Sequence, residues 1–121
     1  MSALVLMARP EHQDWQDLIR DGAEEKATAF LNETLRLFPP AAGSQPRELL
    51  QTVMLPLGNT SIPLRPGVVV HAQPFTLHRS EERFSNPECF LPERWLDGSV
   101  KPSELWAFGR GPTIALRKSM P

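Results

Sequence analysis

Tyrosine is absent from this chain of 121 residues, and cysteine occurs once, at Cys89. A lone cysteine excludes an internal disulfide and a multi-cysteine metal site. It also argues against a small secreted scaffold held by disulfides. Neither sign of charge dominates: 13 Lys and Arg face 14 Asp and Glu, for a formal net charge of -1. The charges are interspersed, so no basic field exists to attract nucleic acid. Long apolar runs are missing too. The N-terminal "MSALVLMA" falls far short of the roughly 20 residues that cross a bilayer. It has neither a basic flank nor a small-residue cleavage site, and it reads as a stub of helix. Without a secretory signal, the sequons at Asn32 and Asn59 read as chance matches. The lack of tyrosine carries no functional reading.

Proline is plentiful, with 13 in the chain, about twice ordinary usage. The length suits one domain with a modest core. Pro10 and Glu11 suit a helix start, followed by Trp15, Leu18, Ile19 and Gly22 at helical spacing. A second helix is predicted over residues 24–38, with Leu31, Leu35 and Phe38 as its apolar stripe. Pro39 and Pro40 stop it, because proline lacks the N–H a helix needs. Residues 49–73 change character: "QTVML" and "GVVVHAQ" are rich in strand formers, with turn signals at "PLGN" and "LRPG". Two or three short strands, including a hairpin, are predicted there. From Leu77 onward the chain reads as coil punctuated by Pro87, Pro92, Pro102 and Pro112, with one helical turn expected at Ser80. Phe84, Phe90, Trp95, Trp106 and Phe108 give this coil enough apolar surface to pack. The predicted fold class is α+β, mainly helical, with two helices, a small antiparallel sheet and a long meandering coil.

Three motifs carry chemistry. In "NETLRLFPP", Glu33 and Arg36 are three apart and share a helical face. Read alone, the pair is an exposed ion pair or a buried carboxylate–guanidinium pair that needs further hydrogen bonds against desolvation. The buried form calls for a second guanidinium, and "NPECFLPERW" offers Arg94, whose planar fork suits a carboxylate. "FGRGP", from Phe108 to Pro112, is a glycine-bracketed turn that lets backbone approach a ligand. It lacks the lysine–serine or lysine–threonine pair of a phosphate loop. His12, His71 and His78 have no ligand spacing, no Ser–His–acid arrangement is readable, and Cys89, beside Phe90, reads as an inert, half-buried thiol.

Taken in order, "ETLRLFPP", "PRE", "IPLRPGVVV", "LHRSEERFSNPECFLPERW" and "WAFGRGP" resemble the C-terminal region of the cytochrome P-450 family, the haem-thiolate monooxygenases. The resemblance runs from about Met1 to Pro112. It implies a partial domain of that fold over residues 1–121: helical over 1–38, a small sheet over 47–76, the meander over 77–107 and a truncated haem-binding loop over 108–121. It places Glu33, Arg36 and Arg94 in the family's structural Glu–Arg–Arg network. His78 and Arg79 match a common pair with a packing role. Arg47 matches a position that sends a guanidinium to a haem propionate, for which bidentate contact is the expected chemistry. Phe108, Gly109 and Gly111 fall at haem contacts of the family's loop.

Beyond Pro112 the pattern breaks. Thr113 stands where the family has arginine, Ala115 where it has the axial cysteine and Arg117 where it has glycine. The thiolate pushes electron density onto iron and favours O–O cleavage, and alanine has no donor atom to replace it. No catalytic residue and no metal ligand is therefore assigned in this chain. The resemblance further implies haem as cofactor, an electron-donating reductase and a small organic substrate as partners, and no nucleic acid. It implies as well that the long distal helix, where the family activates oxygen, and the anchor that holds members of eukaryotic type on the endoplasmic reticulum are not in this sequence, which leaves localisation open. The expectation is part of a haem-dependent monooxygenase that is inactive alone. The alternative is a non-enzymatic interaction module derived from that fold.

Overall fold

Pro10 opens a 3-10 turn over Pro10–His12, which feeds helix α1, Gln13–Arg20. The computed structural model describes residue 5 and residues 8–41 and 43–108. Gly22, which the spacing put on a helix face, instead ends α1. It adopts φ 84°, while its N–H donates to Ile19 O at 3.1 Å and the Ala23 N–H donates to Leu18 O at 3.3 Å. That pair of bonds is a Schellman cap, and its left-handed position favours glycine. Helix α2, Glu24–Leu37, follows at once, with Glu24 and Glu25 in its first turn and Arg36 in its last. These charges complement the helix dipole. Pro39 and Pro40 stop it as expected.

The chain forms two compact units, one built from residues 1–42 and 74–121, the other from Gly43–Gln73. In the second unit β1, Arg47–Glu48, and β4, Val69–Val70, pair antiparallel with Arg47 opposite Val70. Strands β2, Val53–Leu57, and β3, Thr60–Leu64, form a hairpin with Val53 opposite Leu64 and Leu57 opposite Thr60. The antiparallel pairing thus falls into two separate two-stranded ladders. Gly58 turns the hairpin at φ 57°, the positive first central position of a type II′ turn. The signal at "LRPG" becomes a tight turn in which the Val68 N–H donates to Arg65 O at 3.2 Å. No residue of this unit is buried.

In the first unit the short helix α3, Pro74–Leu77, leads into the coil. The helical turn expected at Ser80 is present as hydrogen bonds from the Arg83 and Phe84 N–H groups to Ser80 O. Two more 3-10 turns follow, Pro92–Trp95 and Pro102–Glu104, each opened by proline. Among the described residues the buried apolar ones are Ala29, Phe30, Leu37, Pro74, Phe84, Pro92, Val100 and Ala107, and they share the interior with Glu33, Thr34, Arg36, His78 and Arg94. His12 and Phe90 close on Phe30 at ring-centroid distances of 5.7 and 5.0 Å, with Trp15 at 6.2 Å.

The burial of α2 reverses the reading made from its apolar stripe. Leu31 is 47% and Phe38 36% exposed, whereas Phe30, Glu33 and Arg36 are fully buried. The face carrying the ion pair turns inward because the coil supplies polar backbone groups for it to bind. Phe30→Ala is therefore expected to destabilise the chain by about 3–5 kcal/mol, and Leu31→Ala by about 0.5 kcal/mol or less. Urea unfolding of the two variants checks this, and equal losses would refute the assignment of faces.

Candidate functional site: a buried guanidinium–carboxylate cluster

Glu33 and Arg36 sit one turn apart on α2, and both are withdrawn from solvent. Arg36 Nε and Nη2 donate to Glu33 Oε2 and Oε1 at 2.9 and 2.8 Å. The remaining three N–H groups go to the coil. Nη1 donates to His78 O and Pro87 O at 2.7 Å each, and Nη2 to Cys89 O at 3.0 Å. All five donors of the guanidinium are thus used, which a lysine with three could not match. Its Cζ also lies 5.1 Å from the centroid of the Phe84 ring, a cation–π distance.

Glu33 is equally occupied. Oε1 accepts the Leu91 N–H at 2.9 Å and Oε2 accepts Trp95 Nε1–H at 2.9 Å, besides the two bonds from Arg36. Arg94 Nε stands 3.3 Å from Oε1, but its N–H points to Leu91 O at 3.2 Å. Arg94 therefore meets Glu33 by charge and edge rather than as a fork. Its Nη1 and Nη2 donate to Ser85 O and Asn86 O at 2.8 and 3.4 Å. Asn86 has φ 48°, a left-handed conformation that asparagine tolerates better than most residues. Five carbonyls of the coil between Ser85 and Leu91 thereby end on two arginines.

His78 is the part of this cluster that spacing could not reveal. Its ring is fully buried. Nδ1 lies 3.1 Å from Arg36 O, and Nε2 accepts the Trp106 backbone N–H at 2.9 Å. A nitrogen that accepts carries no proton, so the ring is the neutral Nδ1–H tautomer, donating to Arg36 O. Burial holds its pKa below the ordinary 6.5; the bond to Arg36 O opposes that, while the charges of Arg36 and Arg79 add to it. Arg79, its neighbour, donates from Nη2 to Leu37 O at 2.8 Å and stacks 3.8 Å over the Phe75 ring.

Arg47 lies on β1 in the Gly43–Gln73 unit and is exposed. Phe108 is half-buried at the edge of the described residues, while Gly109, Gly111 and Ala115 lie outside them. Cys89, expected to be half-buried, is exposed: its carbonyl is bound by Arg36 and its side chain is left outside. Among the described residues no three His, Cys, Asp or Glu side chains gather in a way that could hold a metal ion, and no helix is long and apolar enough to cross a membrane.

The chain's donor set does not fit a thiolate-ligated haem. Its one thiol is Cys89, in a coil segment whose carbonyls are tied to Arg36 and Arg94. By the resemblance alone Ala115 falls at the family's axial position, and alanine carries no donor atom.

A family model described as Cytochrome P450 matches residues 25–115. The "Fusicoccadiene 8-ol C-16-hydroxylase" of Phomopsis amygdali is 33% identical over 109 residues, covering 86% of this chain and 20% of that protein. The "Cytochrome P450 monooxygenase ABA2" of Pyricularia oryzae is 42% identical over 75 residues, covering 61% of this chain and 17% of that one. Among solved structures, a zebra fish cytochrome P450 with progesterone superposes at a TM-score of 0.59 and 29% identity, over 77% of this chain and 20% of its own. The chain thus spans about a fifth of the length of these proteins.

Removing one partner of a buried pair leaves the other charge uncompensated and costs about 3–5 kcal/mol. Arg36→Lys keeps the charge but loses the fork and two donors, and it is expected to fall in the same range. Glu33→Gln should do likewise. Thermal and urea unfolding check both, and a change below about 1 kcal/mol for Arg36→Lys would place the pair in solvent.

Proposed function

The chain belongs to the cytochrome P450 family, and from that premise we propose that it is a structural part of a haem-dependent monooxygenase, without oxygenase activity of its own. The parent reaction inserts one atom of O2 into a small organic substrate, with electrons from a reductase. Two of the matched proteins are named as a hydroxylase and a monooxygenase, which supports that reaction class. The observation that carries the proposal is the Glu33–Arg36–Arg94 cluster, which fastens the coil to α2. The part played by this segment is to hold that coil in shape. Haem contacts at Arg47, Phe108, Gly109 and Gly111 belong to the parent enzyme.

The lack of activity rests on Ala115. When bound, a haem-thiolate group supplies oxygen activation, and it requires sulfur as the axial donor. Purified chain mixed with haem, reduced and exposed to CO is expected to give no thiolate-type Soret band. Appearance of that band would overturn the proposal. An Ala115→Cys variant extends the test, because a band restored by that change alone would assign the whole deficit to one residue.

One observation favours a second reading, a non-enzymatic interaction module. Leu31 and Phe38 in the first unit are exposed, as are Val53, Met54, Leu55, Leu57 and Ile62 in the hairpin of the second. Exposed apolar groups in number mark interfaces or aggregation. Size-exclusion chromatography with light scattering separates the readings: a monodisperse species supports the module, and aggregation supports the segment of a larger fold.

A further inference from the structure

We infer that His78 positions the backbone at Trp106 through its neutral ring, and that protonation of the ring releases the segment leading into the glycine turn. This does not depend on haem or on oxygenase chemistry. The geometry is a two-sided clamp. Nδ1–H donates to Arg36 O in the last turn of α2, and Nε2 accepts the N–H of Trp106. One imidazole therefore joins residues 28 positions apart on one side and 42 on the other. Phe108 and the glycine turn begin two residues beyond Trp106.

A second proton can go only to Nε2, since Nδ1 already holds one. That would set an N–H donor against the Trp106 N–H, and the two cannot share the same line. The surroundings make the charged form costly as well. From α2 the guanidinium of Arg36 faces the residue, and from the next position so does that of Arg79. The carboxylates nearby are already engaged: Glu33 with Arg36 at 2.8 Å and Glu88 with Arg79 at 3.3 Å. From the coil, Phe84 presents a ring at 6.2 Å, edge to face, with no acceptor. A protonated His78 must therefore leave its place or expel its partner.

The sign of the pH effect follows. The folded pKa lies below 6.5, so the unfolded chain takes the proton first. The stability contributed by neutral His78 is complete above about pH 6.5 and is lost as pH falls through the lower folded value.

The decisive measurement is NMR on the uniformly 15N-labelled full chain. At neutral pH the His78 ring should show the Nδ1–H tautomer, with a through-hydrogen-bond coupling between Trp106 15N and His78 Nε2. On acidification that coupling should vanish while the Trp106 amide resonance shifts, both with one midpoint below 6.5. Absence of the coupling at neutral pH would overturn the inference. So would a Trp106 amide that ignores the titration of His78, or random-coil shifts at both residues. In His78→Gln the side-chain oxygen can still accept from Trp106, so the pH step at Trp106 should disappear while its protection from exchange persists. In His78→Phe the ring volume remains but both bonds are lost, and the Trp106 amide should exchange about tenfold faster. A role in packing alone predicts no pH step at Trp106 in the unmodified chain that follows His78, and equal Trp106 amide exchange in the Gln and Phe variants. If either variant fails to fold, the titration of the unmodified chain still decides.

Discussion

The fold of the first unit depends on one ion pair that has no water to help it. Arg36 and Glu33 are withdrawn from solvent together, and a buried pair of this kind does not stabilise by its Coulomb attraction alone, because desolvation opposes it. What makes it tenable is saturation. Five donors of Arg36 find five acceptors, and Glu33 takes four hydrogen bonds with Arg94 alongside. The requirement runs both ways. A coil of residues 85–91 has few backbone partners of its own, and buried carbonyls need donors. The guanidiniums of Arg36 and Arg94 supply them where a sheet or helix would otherwise be required.

This exchange explains why α2 packs with its charged face inward. Among the described residues eight apolar residues, Pro74 and Pro92 included, and five polar or charged ones are buried, a proportion too polar for a core held by the hydrophobic effect alone. The aromatic contacts of Phe30 with His12, Trp15 and Phe90 cover one flank of the helix. Phe84, between His78 and Trp95 and facing Arg36, covers the polar cluster. Apolar rings here act as walls that exclude water from hydrogen bonds, and they make those bonds stronger by lowering the local dielectric.

Local rules reached those features that local interactions decide. Pro39 ends α2 because no proline can donate in a helix, and Gly58 turns the hairpin because its φ is positive. The spacing of Glu33 and Arg36 put them on one face, which is all that a three-residue interval can say. Which face turns inward depends on groups 42 to 62 positions away, at His78, Pro87, Cys89, Leu91 and Trp95. Periodicity chose Leu31 and Phe38 for the interior because it counts apolar side chains and not the carbonyls of a distant coil. The same limit hid His78, whose importance lies in two ring nitrogens meeting two backbone groups from opposite directions. Asn86 offered a weak local signal, as a residue tolerant of the left-handed region, and nothing marked Trp95 as a donor to Glu33.

The cluster occupies a bounded stretch of the described chain. The hydrogen bonds and ion contacts described for Glu33, Arg36 and Arg94 connect residues between 33 and 95. The described contacts of the cluster are thus carried by atoms of α2 and of the coil. His78 extends the cluster toward the glycine turn, spanning from Arg36 to Trp106 by two bonds to backbone. Because the bond to Trp106 exists only while Nε2 is unprotonated, that contact between the cluster and the segment beyond it is sensitive to proton activity.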